Sequence, residues 1–86
     1  MITSEQLNYH ALEFFKQYKG HSNYKNNFES DAFDYVKKQN DFRYKDKVNG
    51  DTLVKILEDL NYLEYIKNTK RFHIISQKGL DFLDDN

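Results

Sequence analysis

The sequence predicts an α+β domain in which three helices are followed by a β-hairpin and a short C-terminal helix. Three observations carry this. Apolar residues recur at helical spacing in three segments ahead of Asn61. Beyond Asn61 they recur at alternate positions on both sides of the polar cluster Lys67-Asn68-Thr69-Lys70-Arg71, as in two paired strands. The chain has 86 residues, and one so short buries only about two-thirds of its unfolded surface, which is enough for one core. Residues 1–86 therefore read as one domain.

The first helix is expected over residues 4–19. Leu7, Ala11, Phe14, Phe15 and Tyr18 make its apolar stripe, with Ser4 as N-cap and Gly20 as stop. Tyr9 falls on the opposite face, near Ile2. HSNYKNN, residues 21–27, reads as a loop from its Ser and Asn content. Phe28, Ala32, Tyr35 and Val36 then predict a second helix ending near Gln39, capped by Asn26 or Asn27. The connector NDFRYKDKVNG alternates Phe42 and Tyr44 and has room for a brief strand. A third helix starts at Asn49 or Asp51 and places Leu53, Ile56, Leu57 and Leu60 on one face. Asn61 stands where a left-handed residue often ends a helix.

If Asn68-Thr69 form a tight turn, Tyr65 lies opposite Phe72 and Leu63 opposite Ile74, all four facing the helices, with Glu64 opposite His73 on the outer face. Asn-Thr is a poorer turn pair than Asn-Gly, which leaves a slightly longer loop open. Ser76 can cap a last helix that carries Leu80 and Leu83 onto the core, with Gly79 relaxing its start.

Composition narrows the function. Seven Tyr and seven Phe imply an aromatic core, and with no cysteine there is neither a disulfide framework nor a thiolate metal site. His10, His21 and His73 do not share the spacing of a metal site, and no phosphate loop or nucleophile motif occurs, so neither metal, cofactor nor enzyme activity is expected. MITSEQ has no basic stretch followed by an apolar run, and no apolar run approaches the roughly 20 residues of a membrane span, which predicts a cytoplasmic protein with no membrane partner. Net charge is −1, without the basic excess usual for nucleic-acid binding. The cations are nevertheless grouped: Lys37, Lys38, Arg43, Lys45 and Lys47 centrally, and Lys67, Lys70 and Arg71 in the hairpin, against an acidic C-terminus of Asp81, Asp84 and Asp85.

The segment LVKILEDLNYLEYIKNTKRFHIISQKGLDFL, residues 53–83, resembles the winged helix-turn-helix family. Leu57, Leu60, Asn61, Tyr62 and Leu63 match its pattern of a leucine-bearing helix that ends and enters a strand. Ser76-Gln77-Lys78-Gly79 is similar to the Thr-x-Lys-Gly signal after the second wing strand in many small bacterial and archaeal members. The resemblance covers the whole chain by element order and its last third by motif. It implies that residues 51–60 are the recognition helix and residues 67–71 the wing tip, which makes Thr52, Lys55, Lys67, Asn68, Lys70 and Arg71 the candidate DNA-binding residues.

Two departures from the family pattern accompany it. The outward groups of the third helix are Asp51, Thr52, Lys55, Glu58 and Asp59, three carboxylates against one lysine. About ten residues separate the second and third helices, where a helix-turn-helix turn usually has three or four. The resemblance implies a small protein that binds double-stranded DNA, a transcriptional or mobile-element regulator. The alternative is a winged-helix interaction module docking on a larger replication or transcription protein, for which an acidic third helix and near-neutral charge are natural. A weak homodimer through the Tyr9 and Ile2 surface is a further expectation.

Overall fold

A computed structural model describes residues 2–20, 25–39, 48–67 and 72–86. In chain order the elements are α1 (Ser4–Phe15), a single 3₁₀ turn (Lys16–Tyr18), β1 (Lys25–Asn26), α2 (Phe28–Lys38), α3 (Gly50–Asp59), β2 (Leu63–Tyr65), β3 (His73–Ile75) and α4 (Gln77–Asp85). The three strands form one antiparallel sheet in the order β1-β3-β2. The fold is α+β with a winged-helix-like layout: three helices, a hairpin and a closing helix. The connector strand expected around Phe42 and Tyr44 lies outside the described residues, as do the hairpin's turn residues 68–71.

Helix ends follow local chemistry. Thr3, not Ser4, caps α1: its hydroxyl accepts the Gln6 N–H at 3.1 Å while Gln6 Oε1 accepts the Thr3 N–H at 2.8 Å. Asn27 Oδ1 caps α2 by accepting the Ser30 N–H at 3.3 Å. Helix α3 ends as its sequence predicts, with Asn61 at φ 65° and the Tyr62 N–H donating to the Leu57 carbonyl at 2.9 Å.

The core is aromatic. Phe14, Phe15, Tyr18 and Phe28 are buried with Ala11, Ala32, Val36, Leu53, Leu57 and Leu83. Tyr18 meets Phe28 edge-on at 4.8 Å, and its hydroxyl donates to Asp31 Oδ2 at 2.6 Å, tying the end of α1 to α2. Helix α4 docks by ring stacking, Phe82 on Tyr62 at 4.9 Å and on Phe15 at 6.0 Å. Such pairs add about 0.5–1.5 kcal/mol each beyond the area they bury.

Four further expectations are corrected. First, Lys25–Asn26 is a strand on the free edge of β3, although these polar residues have no strand preference; the open edge of β3 decides their conformation. Second, α3 is rotated from the expected stripe. Val54 is buried beside Leu53 and Leu57, Ile56 is half-buried and Leu60 partly exposed. The cause is Gly50, where α3 presses on α2: a Cβ there would overlap the Glu29 carbonyl oxygen and come 2.8 Å from the Phe33 nitrogen, so the backbones touch where only glycine fits.

Third, the hairpin pairs one residue away from the expected register: Leu63 with Ile75, Glu64 with Ile74, Tyr65 with His73. A slip of one exchanges the faces of β3 relative to β2. Leu63, His73 and Ile75 are buried, whereas Tyr65 and Phe72 are 53% and 37% exposed. The register is held at the base of the hairpin. There the Ser76 N–H donates to the Tyr62 carbonyl at 3.0 Å, and the Ser76 hydroxyl donates to the Asn61 carbonyl while accepting the Gly79 N–H at 3.0 Å. Fourth, Gly79 is required by space instead of flexibility, because a Cβ would overlap the Tyr62 carbonyl oxygen and crowd Ile75 and Phe15.

Candidate nucleic-acid interface

The residues expected to touch DNA divide into a helix pair and a wing group. On α3, Thr52 and Lys55 line one shallow groove together with Asp51, Ile56 and Asp59. Thr52 is half-buried and its hydroxyl serves its own helix end: it donates to Asn49 Oδ1 at 3.3 Å and accepts the Asn49 N–H at 3.5 Å. Lys55 is exposed, with the exposed Asp51 and Asp59 one turn to either side at i−4 and i+4. Lys67, on the hairpin, is exposed and does not line that groove. Asn68, Lys70 and Arg71 lie outside the described residues. The structure thus joins Thr52 to Lys55, and it surrounds that pair with carboxylates.

Of the central cations, Lys37 reaches Asp34 at 3.6 Å and lies over the Phe33 ring at 4.7 Å, while Lys38 borders a groove containing Asp31 and Asp34. These lysines are set among acidic neighbours on the outer side of α2. Arg43, Lys45 and Lys47 are outside the described residues.

One interaction at the interface has no signal in the sequence. His73, expected on the outer face opposite Glu64, is buried at 1% exposure, and its Nε2 lies 3.2 Å from Glu58 Oε1 on α3. With a carboxylate as partner, Nε2 is the donor; Nδ1 is buried and has no hydrogen-bond partner. The rings of Tyr65 and Phe28 stand edge-on to this imidazole at 5.4 and 6.4 Å. His73 therefore joins the wing to α3 through Glu58 and to α2 through Phe28. Beyond it the ladder runs one rung further, the Ile66 N–H donating to the Phe72 carbonyl at 3.0 Å. His73 carries no motif, and its burial follows only from the register.

Among the described residues no group of three His, Cys, Asp or Glu is placed to hold a metal, and no helix is long and apolar enough to cross a membrane. The frame defines a class by layout alone, a small α+β domain of winged-helix-like architecture. Comparison with protein-family models, curated proteins and solved structures gives no match for this chain.

Proposed function

We propose that this chain is a winged-helix DNA-binding protein, a cytoplasmic transcriptional or mobile-element regulator without enzyme activity, whose wing leads the approach to DNA. The observation that carries this reading is the hairpin. Its base is locked by Ser76 and tied to α3 by His73 and Glu58. Lys67 is exposed just beyond the last ladder bond, and Asn68, Lys70 and Arg71 follow in sequence with no acidic residue among them. Cations that follow so anchored a strand pair in sequence suit the phosphate backbone, whose neutralisation supplies most of the affinity for DNA and positions the protein on it. Helix α3 takes the lesser part. Lys55 is its exposed cation and Thr52 is used in its cap, so base readout by this helix is narrow.

The test is DNA binding measured by anisotropy at about 20 mM salt and upward, where electrostatic affinity is greatest at the low end. Replacing Lys67, Lys70 and Arg71 together by alanine should weaken binding to all sequences alike. It should also flatten the salt slope by about 0.9 log unit for each duplex phosphate that is no longer neutralised. No binding of any DNA at the lowest salt overturns the proposal.

A second reading, a docking module for a larger replication or transcription protein, is favoured by one specific observation. The outward stripe of α3 presents Asp51 and Asp59 exposed around one lysine, a surface better matched to a basic protein partner than to phosphates. Absence of DNA binding at the lowest salt, together with saturable binding to a purified replication or transcription factor that Asp51→Lys and Asp59→Lys abolish, would establish it instead.

A further inference from the structure

Tyr65, expected in the core, stands at the surface. Its side chain is half exposed, yet its backbone belongs to β2 and is paired directly with the buried His73. The imidazole of His73 stands edge-on to the Tyr65 ring at 5.4 Å and is itself held by Glu58. The ring is thus supported from beneath by an anchored neighbour, on a strand whose ladder continues past it through Ile66 and Phe72. Lys67 is exposed two residues further on, in the turn that follows the end of β2. An accessible aromatic ring with a cation two residues away in the chain is the pairing that binds single strands, the ring stacking on a base and the cation meeting the backbone. Because one side of the ring already packs against His73, less side-chain freedom is surrendered on stacking than by an unsupported ring.

The acidic side of α3 sharpens the choice of ligand. Glu58 adjoins this platform through His73, and Asp51 and Asp59 continue the negative stripe. A duplex lying across wing and α3 would bring phosphates of both strands toward these carboxylates, with one charge every 1.7 Å or so of helix axis. A single strand running along the hairpin meets Tyr65 and Lys67 without crossing α3. We propose that Tyr65 and Lys67 form a stacking site for single-stranded DNA, so that the wing engages unpaired or frayed segments in preference to intact duplex. This rests on the DNA-binding reading and specifies the form of DNA the wing takes.

The experiment compares a fluorescent oligothymidylate of about 12 nucleotides with a mixed-sequence duplex of the same length, using the full chain at low salt. The single strand should bind more tightly. Tyr65→Ala should weaken single-strand binding by about 5- to 150-fold, the range expected for removing one base-stacking ring, and leave duplex binding unchanged. Tyr65→Phe should restore it, which a merely structural role for the hydroxyl would not do. Lys67→Ala should lower the single-strand salt slope by about 0.7. Because Tyr65 is half exposed, Tyr65→Ala is expected to fold, and its thermal melt verifies this. Duplex binding equal to or stronger than single-strand binding, or Tyr65→Ala indistinguishable from wild type, overturns the inference and leaves the DNA-binding reading standing. Failure of both DNA forms to bind overturns that reading itself.

Discussion

Ile75→Ala and Phe72→Ala form a pair whose relative cost depends on the hairpin register. In the observed pairing Ile75 faces the helices and is 3% exposed, whereas Phe72 is 37% exposed. Truncating Ile75 removes three buried carbons, worth about 2.4 kcal/mol at about 0.8 kcal/mol each. The cavity left behind raises the total toward the usual range of about 2–5 kcal/mol. Phe72 keeps much of its ring in water, so its truncation should cost nearer to about 1 kcal/mol. In the register predicted from an Asn68-Thr69 turn the ranking reverses, because Phe72 and Ile74 would face the core. Urea denaturation followed by circular dichroism measures both, with the m-value confirming that the same surface unfolds. For a domain of this size a destabilisation of about 2.5 kcal/mol lowers the Tm by about 10–20 °C. A larger effect for Phe72→Ala than for Ile75→Ala would refute the register, and with it the burial of His73 against Glu58.

Glu58→Ala strips the buried His73 of its protein partner and should cost about 1–3 kcal/mol, while Glu58→Gln keeps an acceptor for Nε2 and should melt close to wild type; chemical denaturation separates them. Gly50→Ala forces a Cβ against the α2 backbone and should destabilise by about 1–3 kcal/mol despite the better helix propensity of alanine, read from the same unfolding curves. Asp59→Lys, which reverses an exposed charge on α3, should strengthen nonspecific duplex binding at low salt and forfeit that advantage as salt rises, measured by anisotropy.

What the sequence determined by itself is the part governed by near neighbours. The apolar stripe Ala11, Phe14, Phe15 and Tyr18 lies inward because side chains three and four apart share a helix face. Asn27, Asn61 and Ser76 end or begin helices as their side chains and backbone preferences dictate. The switch from helical to alternate periodicity at Asn61 announces the hairpin. The start of α1 is equally local: the short signature Thr3-x-x-Gln6 competes with Ser4 and takes the cap because both of its hydrogen bonds can form. The exposed Lys55 and Lys67 are likewise readable, since long charged side chains rarely bury.

The tertiary structure decided whatever depends on partners distant in the chain. The hairpin register is held by Tyr62 and Ser76 at its base, a pairing between residues 14 apart that no local pattern announces. The two-residue strand Lys25–Asn26 exists because β3 offers an edge, and the rotation of α3 follows from its close approach to α2 at Gly50. Those long-range interactions put His73 inside against Glu58, while its strand partner Tyr65 lies at the exposed end of β2, two residues from Lys67. Alternation along a strand names two possible faces, and only the neighbouring elements choose which one meets the core.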